Sequence, residues 1–387
     1  MRSFLKSPLT WSQALTSLHG MLATFIAAFY FDPADFGTFA LITLLQSVTI
    51  GFLRAGLLQP ALIEQRQSAT YRAVVSSFIL VAGPLLILFL GATYAIAPEA
   101  RWNAFAALAA ATLGTMIHDW WRHRAIADGR FRVLVASDAI RLVLVLAVAS
   151  TTLRYLGAVT GLAATLSTSY LAALLVVPSA ASGPKSRWWT IRSMAIWQSA
   201  ELAVAQLQTT MPMWLLGVLA SAGELGSFRL AQTWLGPINL LTAAISTNLL
   251  ADAVHLEDLD IRRRASAMAL TATWVSGVVV LGALATAAVL APHLGAVDGT
   301  SLLLAIGCVG AASLGAGFSG LHLMALRIMR LQRVVLRVRI IALAVIWSAY
   351  CIGYLSTGPF VSMVAGFLAV AIVYPSLAAS ASRASRL

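Results

Sequence analysis

Runs of about 20 apolar residues recur along the whole chain, separated by short polar clusters, at 12–30, 36–62, 73–97, 104–119, 133–153, 156–178, 194–219, 225–251, 266–291, 301–325, 336–355 and 359–380. A helix rising 1.5 Å per residue needs roughly 20 such residues to cross the hydrocarbon of a bilayer, so the pattern predicts about twelve transmembrane helices. The fourth run is the least well bounded, because HDWWRHRAIADGRFR at 118–132 mixes Trp and Arg in the manner of a membrane interface. The fold class expected is all-α, polytopic in the membrane.

Polar residues inside these runs fall at helical spacing. In the seventh run Gln198, Glu201, Ala205 and Gln208 share one face, and in the eighth Arg229, Gln232, Gly236, Asn239, Ala243 and Ser246 do the same. The first run carries Ser12, Thr16 and His19, and the second Ala40, Thr43, Ser47, Ile50 and Arg54. An offset of 189 residues superposes these stripes in pairs and lays Asp35, Phe36, Gly37, Thr38 and Phe39 on Glu224, Leu225, Gly226, Ser227 and Phe228. Each of these short motifs opens an even-numbered run. An acidic residue there favours the positive end of the helix dipole, and Gly permits a tight hairpin with the preceding helix.

Six runs separate the two copies, an even number, so the halves have the same orientation, as in parallel-repeat transporters. The expected organisation is two six-helix bundles, 1–183 and 184–387. Polar stripes are costly on a lipid-facing surface. The four striped helices, first, second, seventh and eighth, are therefore expected to line a central cavity between the bundles. Hydrogen-bonding between helices inside each bundle is the other reading of the same stripes.

Composition agrees: 60% of the 387 residues are apolar, 10% are charged and the mean hydropathy is +0.86. The net charge of +12 is a matter of sidedness. With the N-terminus placed inside, the inner side, counting Arg337 and Arg339 at the inner end of the eleventh run, holds 21 of the 26 Lys and Arg residues, Arg101 and Arg154 lie outside, and Arg54, Arg141 and Arg229 fall deeper within runs. That is the positive-inside pattern, with both termini cytoplasmic, and it accounts for the basic charge without nucleic acid. MRSFLKSPLTWSQ turns polar where a signal peptide needs its apolar core, so no cleavage is expected there. Cys308 and Cys351 show neither CxxC spacing nor a His cluster, and read as small apolar fillers, with no metal or cofactor implied. Connections between runs stay within about 17 residues, leaving no soluble domain to house catalysis, and no Gly-rich phosphate cradle or usable carboxylate pair stands out. Enzyme is the disfavoured class.

The buried charges are the candidate chemistry. Arg54 lies some eight residues, about 12 Å, from the inner end of its run, beyond comfortable snorkelling. Its guanidinium suits a phosphate or pyrophosphate held by two parallel bonds, or else a structural partner such as a backbone carbonyl or Glu201. Arg229 sits one turn from the outer end of the eighth run, where it either snorkels or receives the anion at the far end of the cavity. Gln232, Asn239, Gln208 and His19 join the arginines as candidate substrate-binding residues. Glu201, without a basic residue three or four positions away, is the candidate for coupling to H⁺ or Na⁺. Asp138 and Arg141, at i and i+3, are expected to neutralise each other. Pro84, Pro212 and Pro237 interrupt runs and mark bends.

FDPADFGTFALI at 31–42, followed by SVTIGFLRAGLLQPALI at 47–63 and by AIADGRFRVLVASDAI at 125–140, resembles the polysaccharide-biosynthesis flippases. These are the O-antigen and exopolysaccharide translocases of the multidrug/oligosaccharidyl-lipid/polysaccharide exporter superfamily. The resemblance implies two six-helix bundles around a cationic cavity in a bacterial inner membrane. It further implies transfer of undecaprenyl-pyrophosphate-linked oligosaccharide from the inner to the outer leaflet for lipopolysaccharide or other surface polysaccharide. The implied mechanism is cation-coupled alternating access, with Arg54 and Arg229 as cavity arginines and polymerase or assembly proteins as further partners. A drug or metabolite exporter of the same superfamily is the alternative, and a non-transporting scaffold for polymer assembly is a third class.

Overall fold

In a computed structural model of the chain, the residues described are 8–60, 78–99, 101–127, 130–152, 158–174, 192–213, 222–252, 258–291, 298–329 and 331–384. They form helices α1 (Pro8–Tyr30), α2 (Pro33–Leu53), α3 (Phe78–Ile96), α4 (Trp102–Ala127), α5 (Phe131–Thr152), α6 (Ala158–Leu174) and α7 (Arg192–Thr209). The series continues with α8 (Ala222–Trp234), α9 (Gly236–Asp252), α10 (Asp258–Leu290), α11 (Gly299–Ile328), α12 (Gln332–Thr357) and α13 (Pro359–Ala384). The expected all-α class is what the chain adopts. Its eighth apolar run is split into α8 and α9 at Leu235, where Pro237 has no N–H to continue the ladder and opens the next helix instead.

By length and apolarity alone, five of the described helical stretches can cross a membrane: Ala34–Leu58, Leu259–Leu290, Gly299–Ile328, Gln332–Ser356 and Pro359–Arg383. Helix α10 shows why lipid is the solvent. Leu270, Trp274, Val278, Leu281 and Val289 all face outward, more than half exposed, an apolar stripe that water would not tolerate.

The chain divides into two compact units, Met1–Ala203 and Val204–Leu387. The division falls inside α7, whereas the apolar pattern places the boundary between bundles at 183/184.

Within each unit the repeat is realised as packing. In the first, α4 packs on α6 and α1 on α5; in the second, α11 packs on α13. Gln208 of α7 also donates to the Arg339 carbonyl of α12 at 2.8 Å, the counterpart of α1 on α5. A cluster of Leu53, Leu57, Phe78, Ala82 and Met116 joins α2, α3 and α4. Its counterpart, Leu249, Ile261, Ala265 and Ala325, joins α9, α10 and α11. The two copies of the short motif each bury their phenylalanine, against different partners. Phe39 is fully buried and meets Phe31 edge-on at 5.7 Å, while Phe228 is fully buried between Phe360 and Phe367 at 5.4 and 5.7 Å. Asp32 caps α2 by accepting from the Asp35 N–H at 2.8 Å, with Pro33 preset for the first turn.

Helices in lipid associate through close packing more than through water exclusion. Gly315 of α11 is the clearest instance: a Cβ there would lie 2.8 Å from the backbone of Ala371 in α13. Cys308 is buried in the core of the second unit, and Cys351 is exposed.

Candidate functional site

Helix α2 does not end where its α-helical ladder does. It passes at Arg54 into a π-helical turn, Arg54–Leu58, in which the Gln59 N–H reaches back to the Arg54 carbonyl. Such widened turns expose a residue that a regular helix would hide, and are frequent at functional positions. The turn is held from both sides: Leu57 and Leu58 enter the apolar cluster with Phe78 and Met116, and Gly56 approaches Ser199 of α7 closely enough that a Cβ would lie 3.3 Å from its hydroxyl.

The Arg54 guanidinium points to Asp119 of α4. Its Nε donates to Asp119 Oδ2 and its terminal nitrogen to Oδ1, each at 2.7 Å, a fork-on-fork pair. Asp119 is 5% exposed and Arg54 38%, so the carboxylate is enclosed while the cation still opens outward. The partner expected from sequence, a carbonyl or Glu201, is thereby replaced. Asp119 is hard to pick out in the sequence because it stands at the very end of the fourth run, in a stretch with the composition of an interface. Helix α4 instead continues to Ala127, carrying His118, Asp119 and Arg122 into the protein, where all three are buried. Phe78 stacked on Trp120 at 5.1 Å shows the apolar side of the same stretch packed inside. The signal available is the spacing Thr115, Asp119, Arg122, one helical stripe at 4 and 3.

Arg122 is the second guanidinium of the site. It donates to Ser12 Oγ at 2.8 Å, and Ser12 in turn donates to Asp138 Oδ2 at 2.5 Å. Arg122 Nε lies 3.4 Å from Asp138 Oδ2, an ion-pair distance without hydrogen-bond alignment, and both groups are almost wholly enclosed. The structure therefore corrects the expected pairing: the ion-pair contact of Asp138 is Arg122, from another helix, and not Arg141 one turn along its own. His118 supports this cluster from beside, with Ser137 Oγ at 3.2 Å and Asp138 at 4.0 Å.

Arg141 is the third. It is 9% exposed, its Nε has no hydrogen-bond partner, and its side chain makes no ion pair or hydrogen bond among the described residues. A buried guanidinium without partner is expensive, and such a group asks for an anion.

These three arginines border one cavity inside the first unit, about 200 Å³ in volume and walled also by Thr16, Gln46, Ser47, Thr115, His118 and Asp119. With Asp138 behind Arg122, three guanidiniums stand against two carboxylates, leaving one positive charge in excess. Drug-sized sites run to roughly 300–1,000 Å³, so this volume suits a small anionic head group and not a whole glycan.

The other sequence-derived candidates are placed as follows. His19, buried, has Nε2 3.4 Å from Thr168 Oγ1 of α6. Glu201 is buried on α7. Gln208, also buried, makes the bond to Arg339 already described. Arg229, on α8, has an unpartnered Nε and reaches only Gln232 Oε1, at 3.3 Å, with no carboxylate in ion-pair range among the described residues. The Gln232 amide turns to Met213 Sδ at 2.9 Å. Asn239 is exposed on α9. Of these seven candidates only Arg54 borders the cavity of the first unit.

No protein-family model matches the sequence, and no curated protein does. Solved structures resemble it over nearly its whole length. A lipid II flippase, MurJ, in an inward closed conformation superposes with a TM-score of 0.70 at 14% identity, covering 97% of this chain and 87% of that one. An inward-facing multidrug resistance MATE family transporter of the MOP superfamily gives 0.66 at 14% identity, over 98% and 99%. The Vibrio cholerae MATE transporter VcmN, as its D35N mutant, gives 0.59 at 13%, over 98% and 95%. At such identities the likeness is one of fold, and the fold is that of membrane transporters and flippases.

Proposed function

We propose that the chain is a flippase that carries an oligosaccharide linked through pyrophosphate to a polyprenyl lipid from the inner to the outer leaflet, by alternating access between its two bundles. One observation carries the reading: a small cavity with an excess guanidinium, Arg141, beside a second guanidinium, Arg54, whose fork geometry suits phosphate. A likeness of fold to a lipid II flippase supports it. Arg54, Arg229, Gln232, Asn239, Gln208 and His19 are the proposed substrate-binding residues and Glu201 the proposed H⁺- or Na⁺-coupling carboxylate. His19 and Gln208 already hold partners within their own units, so their contribution requires an exchange of hydrogen bonds. The proposed setting is a bacterial inner membrane with both termini cytoplasmic. The product feeds surface polysaccharide such as O-antigen, with polymerase or assembly proteins as partners.

Purified protein in proteoliposomes with fluorescent lipid-linked oligosaccharide tests the reading. The labelled lipid is expected to cross with the wild-type chain and to stay with Arg54→Ala; no crossing with the wild-type chain, while a working flippase moves the same lipid alongside, refutes it. The second reading is a cation-coupled multidrug exporter, favoured by the MATE-like fold. A cavity with surplus positive charge repels the cationic compounds such an exporter would carry, which is why it ranks second. Loss of dye efflux on deletion would reverse the order.

A further inference from the structure

The pair Arg54–Asp119 has the form of a ligand complex made inside one chain. A carboxylate offers two oxygens in the plane of the guanidinium, and a phosphate offers two oxygens to the same two N–H groups. One fork cannot serve both at once. We propose that Asp119 is a built-in counter-anion that occupies Arg54 until a phosphate or pyrophosphate group displaces it, and that Arg141 is the cation on which the incoming anion first lands. This deepens the flippase reading and rests on it.

Three features of the site support an exchange over a permanent lock. Arg141 is buried on the wall of the same cavity with no hydrogen bond or ion pair of its own among the described residues, so an anion arriving there meets a guanidinium whose N–H groups are not taken by a carboxylate. Arg54 is more than a third exposed and springs from a π-helical turn, so its side chain has room to turn from one anion to another. Asp119, once released, has an imidazole nearby: His123 Nδ1, one turn on, lies 3.9 Å from its Oδ1 and bonds its backbone carbonyl at 2.8 Å, so taking up the carboxylate requires His123 to exchange that bond.

The contrast with Arg122 sharpens the assignment. That side chain is 5% exposed, is tied to Ser12 and sits against Asp138, which is itself bonded to Ser12. Its carboxylate has no opening through which to leave. Of the two arginine–aspartate pairs, only Arg54–Asp119 has its carboxylate on the cavity wall, and that pair is the one built to exchange. The consequence is a competition: the affinity for the anion is lowered by whatever holds Asp119 to Arg54, and the anion is expelled again when Asp119 returns. Easy release matters for a carrier, which must let go of its load on the far side.

The test uses the full-length protein in detergent or nanodiscs, titrated calorimetrically with inorganic pyrophosphate and, separately, with a polyprenyl diphosphate lipid. Asp119→Asn, which keeps the shape and removes the competing charge, is expected to bind at least about tenfold more tightly than wild type. Arg141→Ala is expected to lose binding. Infrared difference spectra of the wild-type protein supply a readout that needs no variant to fold. Adding the anion is expected to shift a carboxylate stretching band as Asp119 leaves Arg54. If Arg54→Ala and Arg141→Ala lose binding but Asp119→Asn binds no tighter, or the wild-type carboxylate band stays in place, the exchange is wrong and the flippase reading survives. Should the wild-type protein bind neither compound, both fall. Tighter binding of the lipid than of free pyrophosphate assigns the site to a lipid head group. The reverse order assigns it to a soluble anion and overturns the flippase reading while leaving the exchange intact.

Discussion

Consider Arg122→Ala. The mutation deletes a guanidinium held 3.4 Å from Asp138 and hydrogen-bonded to Ser12 at 2.8 Å, and leaves a carboxylate that is fully enclosed. At that separation, with an effective dielectric constant of about 20, the Coulomb attraction is about 5 kcal/mol. Losing the burial cost of the arginine itself offsets part of this, and removal of one partner from a buried pair typically costs about 3–5 kcal/mol. For a unit of this length each kcal/mol lowers the melting temperature by about 2–4 °C, so the expected drop is roughly 6–20 °C. Thermal unfolding of purified protein, with hydrogen exchange at α4 and α5 to show which unit opens, measures it. The double variant Arg122→Met with Asp138→Asn removes both charges at nearly constant volume, keeps an acceptor for Ser12, and is expected to recover most of the loss. The reasoning is refuted if the single variant melts within about 2 °C of wild type, or if the double variant is no more stable than the single one.

Other expectations follow from the same contacts. On the proposed function, Arg54→Lys should retain part of the lipid flipping that Arg54→Ala is expected to lose, because the ammonium keeps the charge but not the fork; wild-type flipping by Arg54→Lys would show that the paired geometry is irrelevant. Gly315→Ala must push α11 from the Ala371 backbone of α13, and an overpacking cost of about 1–3 kcal/mol is expected as a lower melting temperature of the second unit. Asp298 caps α11 by accepting from Ser301 N–H at 2.8 Å, and these hydrogen bonds hold its carboxyl below the usual range. Because the folded value is depressed, its contribution is present above the unfolded value and is lost as pH falls through the folded one. The protection of the amides in the first turn of α11, their exchange rate relative to the intrinsic rate at the same pH, should therefore fall in acid, and Asp298→Ala should show the lowered protection at every pH.

The repeat and the membrane are legible in the sequence because they rest on local rules. Apolar runs of spanning length need no knowledge of neighbours, and the matched motifs at Phe39 and Phe228 bury the same aromatic position in each half. Arg54 is legible by depth alone. What it touches is not, since the fourth run mixes Trp and Arg at its end, and a sequence window cannot tell an interface from a helix whose charges turn inward. The eighth run shows a middle case: Pro237 marks a bend, and the fold makes it a break at Leu235.

The pairing of Asp138 shows what tertiary structure alone decides. Spacing along one helix favours Arg141, but a buried carboxylate takes the partner that completes its hydrogen bonds, and Ser12 and Arg122 arrive together from α1 and α4. Sequence by itself determined that the chain would be helical, membrane-spanning and duplicated, because hydrophobic periodicity and charge sidedness act on each segment separately. Which arginine is paired and which left open is a question of three helices meeting, and the excess charge of the cavity follows from that meeting, not from any one stretch of chain.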